Sequence, residues 1–347
     1  MDHLYDYLQF LAQTITIVIA VLIVLSAGAA FSLRRQQHGE GGHLEVKKLN
    51  DRLTSLKDSL RQAVLPPSYF RKLHKQDSKT HKQEQKQAAK QAKEEADGHV
   101  RPRIFVLRFE GDLQASSVEQ LRTEITAVLT LADSSDEVVV CLESPGGAVH
   151  GYGLAASQLD RIRAHGIPLV AAVDKVAASG GYLMAAVADR ILAAPFAVIG
   201  SIGVLAQIPN VHRLLKKHDV DVELLTAGKY KRTLTVLGEN TEEGRQKFIE
   251  ELEDIHALFQ EFVGSRRPQL DMAEVATGEV WYGDRALARK LIDELCTSDE
   301  YLARSCADKD VYEVRWVEHK RPLERLMAQA EGALVRLVDR VTGMVHR

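Results

Sequence analysis

An unbroken apolar run followed by a serine set among small residues constrains this chain more than any other feature. Residues 167–173 (IPLVAAV) carry no polar side chain. That pattern fits a strand buried on both faces, as in a parallel sheet. The stretch DKVAASGGY (174–182) follows, and 183–188 then reads as a short packed helix. A serine between a strand end and a helix start lies near unpaired N–H groups, which favour an alkoxide or oxyanion. Gly180 and Gly181 allow a tight turn and a close substrate approach. Taken alone, the stretch is better explained by small packing residues with Ser179 as an N-cap.

The surrounding pattern supports the chemical reading. Residues 104–109, 138–142 and 191–194 are further strand patterns, and 118–131 and 151–165 carry helical spacing, the latter with Leu154, Leu159 and Ile162 inward. Strands alternating with helices at this spacing predict an α/β fold with a parallel sheet. Ligands of such sheets bind beyond the strands' C-terminal ends. Two glycine-rich turns fall there: SPGG (144–147), and the stretch around Ser179. Pro145 sets one φ and the glycines free the next two, so outward N–H groups are easily built. Gly147 and Gly180 are the candidate oxyanion donors. No GxGxxG and no GxxxxGK[ST] occurs, so a nucleotide site is not supported.

A nucleophilic serine needs a base. No GxSxG elbow is present, and His150, His165, His212 and His218 do not fall in patterns that aim them at Ser179. His150, just after SPGG, flanks the site. A lysine made neutral by burial is the alternative. TAGKYKRT (226–233), after a strand pattern at 222–225, offers Lys229 and Lys231. Either can point inward, since residues two apart in an extended segment share a face.

Four ordered motifs, SPGG, DKVAASGGY, GSIGV (200–204) and TAGKYKRT, together resemble the signal peptide peptidase A (protease IV) family of Ser–Lys membrane peptidases. The resemblance covers roughly residues 104–297 and the N-terminal run. It implies a crotonase/ClpP-like spiral of repeated ββα units. It implies Ser179 as nucleophile, Lys231 as base, Ser201 as the serine that orients the base, and Gly147 and Gly180 as oxyanion donors. No metal or cofactor is implied, and peptides are the implied substrates. Two departures stand out: Lys229 adds a second amine, and Lys290 replaces the usual glycine of the family's GxxAxxxGLVD segment.

The rest of the chain sets the context. Residues 14–33 form a run of about 20 residues without a charge, enough to cross a bilayer. Asp2 and Asp6 precede it, which argues for an uncleaved anchor over a signal peptide. The expected location is the bacterial inner membrane, single-pass. The basic residues after the run favour a cytoplasmic bulk, although a large domain can override loop charges. Val46, Leu49, Leu53, Leu56 and Leu60 follow a short heptad seam, either self-associating or docked on the chain's own domain. Pro66 and Pro67 stop it, and 71–95 is a basic, solvated linker or fraying helix, with anionic headgroups a secondary partner.

Residues 241–262 predict a long helix with Phe248, Ile249, Leu252, Ile255, Leu258 and Phe259 on one side. An apolar stripe from Leu323 to Val345 predicts a C-terminal amphipathic helix that docks, first of all, on another subunit. The resulting division is an N-terminal flank (1–13), a transmembrane helix (14–33), a helical and basic linker (34–103), a peptidase domain (104–315) and the terminal helix (316–347). The net charge of −3 does not point to nucleic acid, and Cys141, Cys296 and Cys306 form no metal or disulfide pattern. A membrane-anchored, homo-oligomeric serine endopeptidase is therefore expected. An acyl-CoA enzyme of the crotonase type and an inactive membrane scaffold are the alternatives.

Overall fold

A computed structural model describes residues 42–94 and 101–318. Residues 46–315 form one compact unit, which carries the candidate site. Of the second unit only 42–45 and 316–318 are described, the ends of two strands. The transmembrane run at 14–33 and nearly all of the terminal helix lie outside the described residues. Among the described residues no helix is long and apolar enough to cross a membrane.

The chain enters through β1 (Gly42–Lys48), α1 (Leu49–Val64) and α2 (Pro67–Glu94). The linker expected over 34–103 is therefore not helical throughout, because β1 joins the sheet edge beside the last strand. Pro67 occupies the first helical position, where its missing N–H costs nothing. Of the heptad seam, Leu49 is buried on the domain while Leu53, Leu56 and Leu60 are exposed. Asn50 secures that docking: its amide donates to the carbonyls of Cys306 and Lys309 and accepts from Val311 N.

β2 (Arg103–Glu110), α3 (Val118–Leu129), β3 (Glu137–Glu143), α4 (Val149–Ala164), β4 (Leu169–Val173), β5 (Val176–Ala178) and α5 (Gly180–Ala185) follow. Next come β6 (Arg190–Ala193), β7 (Val198–Gly200), α6 (His212–Lys217) and α7 (Glu242–Arg266). The chain closes with α8 (Met272–Val275), β8 (Val280–Tyr282), α9 (Gly283–Ala288), β9 (Glu294–Leu295), α10 (Ser298–Ser305) and β10 (Asp310–Glu318).

Seven strands make one sheet in the order β1-β10-β2-β3-β4-β6-β9, parallel from β10 to β9. Alternate side chains of β2, β3 and β4 enter two separate cores. Phe105, Leu107, Val138, Val140, Leu169 and Ala171 face α3, α4 and α5. Ile104, Val106, Val139, Cys141, Val170 and Ala172 pack with Leu49, Tyr301 and Leu302. Covering both faces explains the unbroken apolar runs 104–107, 138–142 and 169–173.

A smaller sheet, β5-β7-β8, lies at the C-terminal ends of the main strands. β5 and β7 are parallel, β7 and β8 antiparallel. Two consecutive units share one plan: β4 then β5, and β6 then β7, place a strand of five or four residues in the large sheet and a three-residue strand in the small one. β3 begins the same plan, with Ser144 bridging Ala177.

The segment 201–241 departs from expectation. It contains α6 but no strand, and the apolar run at 222–225 is irregular. Val222, Leu224 and Leu225 are exposed, and among the described residues no strand pairs with this run. Leu154 also faces outward from α4, and Ile249 and Leu258 are exposed on α7, which buries only Val263 fully.

Candidate active site

Ser179 is the first residue past β5, and three contacts hold the stretch that carries it. At its start, the Asp174 carboxylate accepts from Ser298 N at 2.8 Å and from Ser298 Oγ at 2.5 Å. At its end, Tyr182 Oη donates to the Leu291 carbonyl at 2.9 Å. Burial pushes that phenol far above its ordinary value, so it remains a donor. In the middle, Ser179 N donates to the Gly200 carbonyl at 2.8 Å.

The Ser179 backbone has φ 51° and ψ −120°. A non-glycine residue pays of order 1–3 kcal/mol for such a conformation, which persists only where the surroundings impose it. The side chain makes no capping hydrogen bond. An N-cap role therefore does not account for this serine.

The SPGG turn lies directly on it. Ser144 N donates to Val176 O at 2.9 Å and Ser144 O accepts from Ala178 N at 3.0 Å, joining the turn to β5. Gly146 has φ +89°, and a Cβ there would meet Ser179 Cβ and Gly180 N at 2.7 Å each. Only glycine permits this approach. Among the described residues, no acceptor takes the N–H of Gly147 or of Gly180. Both amides lie in the turn and helix start that pack around Ser179.

Ser201 occupies the equivalent place after β7. Its φ is 53°, its N–H donates to Glu279 O at 2.7 Å, and the register pairs Ala178 with Gly200. The small sheet thus brings Ser179 and Ser201 to adjacent strand ends.

The two lysines lie elsewhere. Lys231 is exposed in the irregular segment, where its N–H donates to Gly228 O at 3.2 Å. No hydrogen bond or ion pair joins its amine to Ser179 or Ser201 among the described residues. Lys229 sits 4.9 Å above the Tyr230 ring and pairs with Glu243 at 2.9 Å. Tyr230 and Glu243 raise its pKa well above the ordinary lysine value, so Lys229 is a cation at neutral pH. His150 is exposed at the start of α4, beside the turn. Lys175 and Glu143 form an exposed 2.8 Å pair next to it.

Sequence reasoning passed over Tyr152, which is fully buried behind the turn with its hydroxyl 2.5 Å from Ser144 Oγ. A tyrosine on the inward face of a helix beside SPGG was the available signal. Lys290 has φ +61°, the left-handed conformation that explains why a glycine is usual there. Its carbonyl accepts from Arg267, which is buried in a two-pronged pair with Asp293.

Comparison with known proteins agrees with the resemblance drawn from the four motifs. Residues 2–159 match the model for peptidase family S49 N-terminal, and 161–312 match peptidase family S49. The chain is 47% identical to the probable protease SohB of Haemophilus influenzae over 98% of its own length and 96% of that protein. It is 41% identical to a putative protease SohB of Buchnera aphidicola subsp. Baizongia pistaciae, over 87% of each chain. The probable protease SohB of Buchnera aphidicola subsp. Acyrthosiphon pisum is 53% identical over 65% of this chain and 67% of its own. With its fold, its strained serine and these matches along nearly its whole length, the chain belongs to peptidase family S49.

Proposed function

We propose that this chain is a membrane-anchored serine endopeptidase of the Ser–Lys type that hydrolyses membrane-derived or unfolded peptides. The observation that carries the reading is Ser179 itself. Its backbone is held in a strained conformation, its hydroxyl makes no cap, and two acceptor-free amides pack around it. The repeated pairing of a long and a short strand supports a crotonase/ClpP-like spiral as the scaffold.

In this reading neutral Lys231 takes the Ser179 proton while Ser179 Oγ attacks the scissile carbonyl. The oxyanion rests on Gly147 and Gly180 N–H, each donor worth about 3 kcal/mol of barrier. The Lys231 ammonium then protonates the leaving amine, and water resolves the acyl-enzyme. Ser201, beside Ser179, orients the base.

A lysine acts as a base only when removed from water. Lys231 is exposed in the single chain, so its cover comes from bound peptide and a second copy. Leu205 and Leu225, 86% and 89% exposed in the same segment, support such a cover. The uncharged run at 14–33 supports the anchor.

Peptide hydrolysis by the full chain in lipid tests the reading. Ser179→Ala and Lys231→Ala should each abolish it without unfolding the protein. Activity that survives Ser179→Ala removes the nucleophile assignment. Activity that survives Lys231→Ala but not Lys229→Ala moves the base to Lys229.

A further inference from the structure

Behind the SPGG turn lies a line of buried hydroxyls that the proposed chemistry does not use. Tyr152 Oη donates to the Asp112 carbonyl at 2.8 Å and lies 2.5 Å from Ser144 Oγ. The Gly146 N–H donates to the same Oγ at 3.1 Å. Ser144 and Tyr152 are both fully buried.

Proton counting sets the direction of these bonds. Each hydroxyl has one proton. Tyr152 gives its proton to Asp112 O, a carbonyl with none to return. Tyr152 Oη therefore accepts from Ser144, and Ser144, its proton committed, accepts from Gly146. The line runs one way, from the Gly146 amide through Ser144 and Tyr152 to Asp112. Burial raises the Tyr152 pKa, which keeps the phenol protonated. Loss of either hydroxyl leaves a buried polar group without its partner.

The line ends on the part of the turn that touches the nucleophile. The Gly146 N–H held by Ser144 belongs to the peptide immediately before the one that carries the Gly147 N–H, so the line anchors the turn next to that donor. The Tyr152 ring also backs the second donor, since a Cβ on Gly180 would strike it. One side chain thus braces both amides.

We propose that Tyr152 and Ser144 are positioning residues that preorganise the two oxyanion donors, a role that rests on the peptidase reading above. Donors aimed at charge that develops only in the transition state act on kcat more than on KM.

The test uses the full chain in lipid, with Tyr152→Phe, Ser144→Ala, their double variant and Ser179→Ala. Each single variant should lower kcat about 10- to 100-fold with KM within about twofold. The double variant should be no worse than the poorer single, because the two hydroxyls act as one line. In the Ser179→Ala background, Tyr152→Phe should speed amide exchange in the peptide spanning 143–148 while β2 and residues 137–142 of β3 stay protected.

A kcat within twofold of wild type, a loss confined to KM, or unchanged exchange at 143–148 overturns the proposal. Exchange that rises throughout the domain also overturns it, since the hydroxyls then serve only stability. An inactive wild type, or an active Ser179→Ala, would instead strike the peptidase reading, while the exchange arm still reports on the brace.

Discussion

Residues 104–200 and residues 205–237 hold the two halves of the proposed dyad, and they are built differently. In the first, strands are covered on both faces, and hydrogen bonds over long sequence separations pin the serine. The second is largely irregular and exposes Leu205, Leu214, Val222, Leu224, Leu225 and Leu237. The proposed nucleophile is therefore set by the chain's own core, whereas the proposed base lies in an uncovered segment. Strain can be stored only where packing opposes its release.

The sharpest way to break this contrast is at the lysines. Lys231→Ala should lower kcat/KM by about 1,000-fold or more, the scale of a missing base. Lys229→Ala should lower it by less than about threefold, because Glu243 and Tyr230 already hold that amine as a cation. Equal losses would mean that the two amines work as a pair.

On the packed side, Gly146→Ala should cost about 3 kcal/mol or more in urea unfolding, through positive φ and a Cβ at 2.7 Å from Gly180 N. A cost below about 1 kcal/mol would show that the turn yields, and the contrast would weaken.

A pH dependence probes the same core. Burial pushes the Cys141 thiol up to about 11. A thiol raised in the folded state binds more protons than in the unfolded chain between its two pKa values. Stability should therefore fall as pH rises from about 9 to about 11, by about 2–3 kcal/mol from this group. Cys141→Ala should remove that part of the decline, measured by urea midpoints.

The smallest effects sharpen the other side. Lys290→Gly should stabilise the domain by up to about 1 kcal/mol, since the carbonyl contact with Arg267 survives and the positive φ becomes free. In the single chain, without a second copy over the segment, Leu225→Ser should change unfolding by less than about 0.5 kcal/mol. A large loss would mean that the segment is packed after all.

How legible this was depended on whether a pattern is local. β2, β3, β4 and β6 could be read because both faces bury apolar residues in runs, whereas β9, of two residues, and β10, which carries charges among its apolar residues, were not read. The small sheet could not: β5, β7 and β8 have three residues each, and only distant pairing makes them strands. Residues 42–48 (GHLEVKK) read as linker because an edge strand needs no apolar run. Residues 222–225 (VELL) failed the other way, an apolar run with no strand to receive it. Ser179, Gly147 and Gly180 were singled out as candidates from turn chemistry. The Tyr152 line escaped because it depends on a contact with Asp112, 40 residues away.

Ser179 and Ser201 owe their spacing to a ladder only three rungs long, Val176–Ala178 beside Val198–Gly200. Slippage by a single rung would turn one hydroxyl to the opposite side. The corner at Pro195 and Phe196 thus behaves as a ruler: lengthening it by one residue should lower peptide hydrolysis although Ser179 and Ser201 are both still present.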